Sequence, residues 1–412
     1  MTASRDGPPG VKIETKKQKV QKIRMVLALI GIVLATLNTR AGYTSLAPVF
    51  DQVAASIRIT PNAQGILGMF PALAFAVSSW FVPRMIRKMG LEKILLLAMV
   101  IIFSGLIARS FSSNVLQFGI LYALSLAAMG TANGLLPAVI KQYFPKHIGP
   151  VTSIFTTMIS ISASLPALIA VPLTLTFGWR ISLGLWAILA MLAIFPWLFL
   201  SRSENKLPQI AHGSAIPVWR WPMAWAITII FSIGAFNIFA MISWLPKLLV
   251  SEIGVSPAIA GTMLSLFLFS GFFTSMLSPL VLVRTRYPYL VVAFFSTCFV
   301  VGYIGLMYVP TLAWVWVTLI GLGLTFIPVS LTLINMRSRT SHGAAALSGF
   351  VQGLGYLLGA LGPFIIGWLH STSGEWNVAI WFLVVLALLA VPAGVFVSRK
   401  MFLEDDQSTM SG

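Results

Sequence analysis

The sequence predicts an all-α membrane protein, twelve transmembrane helices in two parallel six-helix pseudo-repeats, and three observations predict it. Charged residues are 9% and hydrophobic residues 58% of the 412, whereas an average soluble protein is about a quarter charged. Apolar runs near the roughly 20 residues that cross a bilayer recur along the whole chain. Short Pro, Gly and hydroxyl motifs of the first half return in the second at nearly constant offsets. So few charges cannot cover a water-facing globule, and a mean hydropathy of +0.92 excludes disorder as well.

Residues 1–24 form a basic cytoplasmic tail, with Lys12, Lys16, Lys17, Lys19, Lys22 and Arg24 close together. A basic stretch before an apolar one also begins a signal peptide. Here the apolar run continues towards Phe50 with no small-x-small site behind a short core, so it reads as a retained first helix. Pro, Gly and charge bound the six helices of the N-terminal half, 25–201, near 25–49, 62–83, 92–111, 115–139, 149–174 and 179–201. The longest polar break, 202–220, contains Arg202, Glu204, Lys206, Pro208 and Pro217 and reads as a cytoplasmic linker. The C-terminal half, 221–398, supplies helices near 221–246, 257–283, 288–309, 312–334, 344–370 and 377–398, and 399–412 is a second cytoplasmic tail.

Orientation follows from Lys and Arg. Of the 27, 22 fall in the tails and in the loops on the N-terminal side, and four (Arg58, Arg109, Arg180 and Lys247) fall on the other. Both termini are therefore expected in the cytoplasm, in a multi-pass protein of the plasma or inner membrane. The net charge of +17 anchors this topology to the lipid bilayer and does not signal nucleic acid. The repeat is explicit. Thr60-Pro61-x-x-x-Gly65 returns as Ser256-Pro257-x-x-x-Gly261 and Pro83 as Pro279, all at an offset of 196, while Ser45-x-x-Pro48 returns as Ser243-x-x-Pro246 at 198. Six spans separate the copies, so they lie parallel, an arrangement that puts a solute site at the midplane between the halves.

Several chemistries are excluded. One cysteine, Cys298, permits no intramolecular disulfide and no Cys-based metal site. The four histidines lie between or at the ends of apolar runs, and no phosphate-binding Gly-rich loop is present. No metal, cofactor or catalytic residue is expected, and an intramembrane enzyme lacks the His, Asp or Glu at depth that it would need.

The one remaining cation, Arg40, lies about 15 residues into the first helix, or about 22 Å at 1.5 Å per residue. A charge there costs several kcal/mol unless it faces a cavity or a partner, snorkelling to the outer surface being the alternative. Thr36, Tyr43 and Thr44 share its face, whereas Asn38 is 200° away on a regular helix and serves either the site or helix packing. All ten acidic residues lie in tails, loops or helix ends, so Arg40 has no carboxylate on its own level and an anionic or strongly dipolar solute is its natural partner. The same absence leaves no proton relay at the midplane. Further polar positions are Tyr122 and Asn133 in the fourth helix, the stripe Ser153, Thr157, Ser160, Ser164 in the fifth, Asn237 and Trp244 seven apart in the seventh, and Gln352 and Tyr356 in the eleventh. Each either lines a cavity or packs helices together.

The strings Leu37-Asn38-Thr39-Arg40 with Thr44-Ser45-x-x-Pro48, Pro137-Ala138-Val139-Ile140-Lys141, Trp244-Leu245-Pro246, and Gln352-Gly353-x-Gly355-Tyr356 followed by Pro363 resemble the cyanate permease and 2-nitroimidazole transporter family of the major facilitator superfamily. The resemblance spans helices 1 to 11. It implies the major facilitator fold and a transport role, and it singles out Asn38, Arg40, Lys141, Trp244 and Gln352, with Lys141 at a helix end where a structural or gating role fits better. Where facilitators usually carry Gly-x-x-x-Asp-Arg-x-Gly-Arg, this chain retains only Lys88-x-Gly90, with Arg87 in place of the acid. The expectation is a monomeric secondary transporter of a small anionic or strongly polar solute, working by alternating access. Arg40 would be its electrostatic anchor, and Asn38, Tyr43, Thr44, Asn133, Asn237, Trp244, Gln352 and Tyr356 would complete the site. The alternatives are an exporter of hydrophobic antimicrobials or other small organic compounds and, less well supported, a channel-like pore.

Overall fold

Helices account for nearly all of the computed structural model, which describes residues 16–202, 217–339, 341–399 and 401–403. The linker 202–220 and both tails fall largely outside the described residues. The helices are α1 (Lys16–Thr44), α2 (Pro61–Met89), α3 (Leu91–Ser110), α4 (Val115–Tyr143), α5 (Ile148–Phe177), α6 (Trp179–Gly184 and Ala187–Ser201), α7 (Pro222–Leu248), α8 (Pro257–Arg284) and α9 (Pro288–Tyr308). Then follow α10 (Ala313–Leu322 and Phe326–Met336), α11 (Ser341–Gly359 and Leu361–Ser373) and α12 (Trp376–Leu388 and Ala390–Val397). Eleven contain a long membrane-crossing apolar stretch, and Ala63–Ser78 of α2 adds the twelfth.

Local chemistry sets the ends. Asn114 caps α4 by accepting from the Gln117 amide at 2.9 Å, and Ser256 caps α8 by accepting from Ile259 at 3.3 Å. Pro222, Pro257 and Pro288 occupy first-turn positions of α7, α8 and α9, where the missing N–H has no intrahelical partner to lose. The first helix departs from its expected bounds at both ends. It is already helical at Lys16, the first described residue, because the Lys- and Gln-rich stretch 16–24 holds no breaker. Its regular part stops at Thr44 and gives way to a 3₁₀ turn, Ala47–Val49, because the Pro48 ring excludes the carbonyl four residues back, and the span then resumes as a short helix, Phe50–Ile57.

Packing repeats with the sequence. Within the first half α1 lies on α5 and α6, α3 on α4 and α6, and α2 on α4; six helices on, α7 lies on α11 and α12, α9 on α10 and α12, and α8 on α10. The halves meet along two symmetry-related seams, α2 with α11 and α5 with α8. At the end of the bundle where α1 finishes and α2 begins, these seams are tight. A Cβ on Gly68 would sit 2.7 Å from both Pro363 Cβ and Ser243 Oγ, and one on Gly261 would sit 3.0 Å from the Ala167 carbonyl oxygen. Glycine there lets the two halves close on each other.

Candidate functional site

Arg40 lies beneath that closed end, in a cage of aromatic rings drawn from both halves. Its Nη1 donates to the Tyr43 hydroxyl at 2.7 Å, one turn further along α1. The guanidinium stands over the ring of Phe75 from α2, 4.8 Å from the centroid, and Tyr356 of α11 lies beside it. Tyr356 packs 5.7 Å from Phe75 and edge-on to Phe231 of α7 at 5.0 Å. Phe239 of α7 lies 6.4 Å from Tyr43 and 6.3 Å from Tyr356 and completes the wall.

Magnitudes explain why no carboxylate is needed. A hydrogen bond to a charged donor contributes about 1.5–3 kcal/mol and a desolvated cation–π contact about 2 kcal/mol. Arginine at the centre of a helix in the bilayer costs about 2.5–3.5 kcal/mol on insertion scales. The cage therefore offsets the burial of Arg40 and leaves its positive charge uncompensated. The described carboxylates lie elsewhere: Asp51, Glu252 and Glu375 are exposed. Glu92 is buried at the start of α3, accepting from Gln142 Nε2 at 2.8 Å and the Tyr143 hydroxyl at 2.9 Å. Burial, and after it the Glu92 charge, holds the Tyr143 phenol above its ordinary range.

The backbone around Arg40 is held from outside its own helix. Ser162 of α5 accepts from the Arg40 amide at 3.1 Å and donates to the Leu37 carbonyl at 2.7 Å. Beyond Tyr43, towards the closed end, a small cavity is lined by Tyr43, Gln64, Tyr122, Phe239 and Ser243.

The other expected site residues divide. Gln352 lies one turn from Tyr356 and donates to Ser348 Oγ at 2.6 Å, half-buried, and Asn133 is half-buried on α4. Thr44 is fully buried and donates to the Arg40 carbonyl at 3.1 Å. Asn38 is 1% exposed and turns back to donate to the Leu34 carbonyl at 2.8 Å, while its buried Oδ1 has no partner among the described residues. Asn237 is fully buried, donating to the Ile233 carbonyl at 2.8 Å and accepting from Tyr303 of α9 at 2.6 Å. The Trp244 indole donates to the Pro363 carbonyl at 2.7 Å and packs 5.8 Å from Trp376. Of the α5 stripe, Ser164 donates to the Ser160 carbonyl at 2.9 Å.

Phe75 and Ser162 escape a reading by helix faces. Phe75 is one apolar ring among many, and Ser162 stands off the stripe through Ser160 and Ser164. Both act across a helix pair, and only their neighbours reveal them.

The family model of the major facilitator superfamily matches residues 32–363. A 2-nitroimidazole transporter of Escherichia coli is 33% identical over 92% of this chain and 96% of its own length. The cyanate transport protein CynX of Escherichia coli is 26% identical over 84% and 91%. Among solved structures, a bacterial homologue of the human lysosomal transporter Spinster, inward-facing and unoccupied, superposes with a TM-score of 0.73 at 14% identity, covering 93% of this chain and 98% of the other. That likeness concerns the fold.

Proposed function

Because this chain belongs to the major facilitator superfamily and is a multi-pass transporter of small solutes, we propose that its solute is a small anionic or strongly polar molecule and that Arg40 is the anchor that binds it. The observation that carries this reading is the uncompensated charge. Arg40 is met by one phenol at 2.7 Å, a second phenol nearby and a ring face at 4.8 Å, but by no described carboxylate. An incoming anion supplies what the cage lacks. A guanidinium offers two parallel donors to a planar acceptor, and Phe75 and Tyr356 provide faces against which a flat solute stacks. The solutes named for the two relatives, cyanate and 2-nitroimidazole, are compact and strongly polar, which supports the same reading.

With the termini in the cytoplasm, as the Lys and Arg distribution predicts, the closed end near Gly68 and Gly261 faces outward. Transport then consists of opening the α2–α11 and α5–α8 seams at that end while the opposite ends approach, around a solute held at Arg40. The test is binding to the purified protein by matched pairs, benzoate against benzamide and cyanate against acetonitrile, followed by calorimetry and thermal shift. Saturable binding of the anions, at least tenfold tighter than that of their neutral counterparts, is the expected result. Equal affinity within a pair, or preference for the neutral member, would overturn the anionic reading.

A further inference from the structure

Arg109 is a second buried cation, and nothing in the cage uses it. It is fully buried in the last turn of α3, although its position at a helix end reads in the sequence as an outer-face anchor. Its guanidinium packs between the rings of Phe118 at 5.7 Å and Tyr122 at 5.3 Å. Nε and Nη2 have no partner among the described residues, and Nη1 makes one hydrogen bond, to the Gly42 carbonyl at 2.8 Å.

That carbonyl is a particular one. The Ala41 carbonyl still receives the amide of Ser45 at 3.3 Å in α-helical register, but the Leu46 amide bonds to Tyr43 at 3.2 Å and no longer reaches back to Gly42. Pro48 imposes this break, since its ring displaces the chain at Thr44 and forces the 3₁₀ turn that follows. Gly42 is thus the first carbonyl of α1 left without its intrahelical donor, and a buried acceptor without a partner is costly. Arg109 satisfies it. Gly42 also stands between Arg40 and Tyr43, the two side chains joined at 2.7 Å.

The repeat supplies a control inside the same chain. Pro246 of α7 corresponds to Pro48, and Gly305 corresponds to Arg109 at the offset of 196. With no cation opposite it, α7 continues helical through Pro246 to Leu248. The break before Pro48 and the buried arginine opposite it occur together in the first half, whereas at the corresponding positions of the second half α7 runs through Pro246 and Gly305 takes the place of Arg109.

We propose that Arg109 is a positioning residue for solute recognition. It holds the broken end of α1 by the Gly42 carbonyl and so fixes Arg40 and Tyr43 in register, while Ser162 holds the same segment from the preceding turn. This rests on the reading of Arg40 as the anion anchor. A structural cation would serve only to pack α3 against α4. In that case a methionine of similar volume would replace it without loss, as happens at many buried charges.

The experiment uses full-length protein in lipid nanodiscs, with hydrogen–deuterium exchange of peptides covering 36–50 and benzoate as the anion probe. Arg109→Met is expected to raise exchange about tenfold within 42–48, to leave α3 and α4 peptides unchanged, and to weaken benzoate binding at least tenfold. Arg109→Lys restores one donor and should recover most of the protection. Pro48→Ala in the Arg109→Met background lets Leu46 reach the Gly42 carbonyl again and should restore protection without any cation; it also serves if Arg109→Met alone does not fold. Unchanged exchange in Arg109→Met, a rise spread evenly over α1, α3 and α4, or no rescue by Pro48→Ala would each overturn the proposal. If wild-type protein binds no benzoate, the anion reading fails by itself, and the exchange results still decide whether Arg109 holds the segment.

Discussion

The helices α1 and α7 descend from the same repeat unit, share the Ser-x-x-Pro motif and face each other across the molecule, yet their polar groups are used in opposite ways. In α7, Asn237 is bonded at both ends of its amide, to its own helix and to Tyr303, and the Trp244 indole is bonded to the Pro363 carbonyl. Each bond stays within the C-terminal half. In α1, Arg40 projects into a cage to which both halves contribute, and its backbone is gripped by Ser162 and, two residues on, by Arg109. The N-terminal half supplies the charge with Tyr43 and Phe75, and the C-terminal half supplies Tyr356, Phe231 and Phe239. On the proposed reading of Arg40, a pseudo-symmetric transporter carries a site that is not pseudo-symmetric.

The comparison predicts that substitutions around α1 change affinity, whereas those in α7 change stability. Phe75→Ala removes the ring under the guanidinium and should weaken anion binding by about 2 kcal/mol, roughly thirtyfold, beyond the stability lost by emptying a buried site; calorimetry on folded protein measures the affinity. Asn237→Leu leaves the Tyr303 hydroxyl buried and unpaired, which costs about 1–3 kcal/mol of stability. Anion affinity of the folded fraction should stay within about twofold, and an affinity loss like that of Phe75→Ala would erase the distinction between the two helices. Trp244→Phe keeps the ring and loses one hydrogen bond, so about 1 kcal/mol of stability is expected to go, read from thermal denaturation in detergent. Cys298→Ser is the smallest. The thiol is 6% exposed in α9, away from the cage, and both transport and stability should stay near wild type.

Composition and the recurrence of Pro and Gly motifs carry the fold in the sequence, because a bilayer leaves few alternatives to apolar helices. The repeat relates the two seams to each other, α2 with α11 and α8 with α5, but does not say which helices meet. The site is only half legible. Arg40, Tyr43 and Tyr356 stand out as polar groups on apolar helices, and the spacing of Arg40 and Tyr43 puts them on one face. Helical periodicity says which residues share a face but not which face meets which neighbour. It therefore cannot show that Phe75 lies under Arg40, or that Ser162 reaches α1. Nor does it separate Asn237, bound entirely within its own half, from Tyr356, which lies in the cage. Arg109 was hidden for a different reason. An arginine at a helix end counts as interfacial until the Gly42 carbonyl opposite it is known to have lost its donor.

The most direct test of the central claim compares Arg40→Ala with Arg40→Lys in calorimetric titrations with benzoate and cyanate on purified, folded protein. If Arg40 is a two-pronged anchor, alanine abolishes saturable anion binding and lysine, which keeps the charge without the planar fork, restores only part of it. Near-wild-type affinity in both variants would contradict the account and turn attention to Gln352 and the Asn237–Trp244 face of α7.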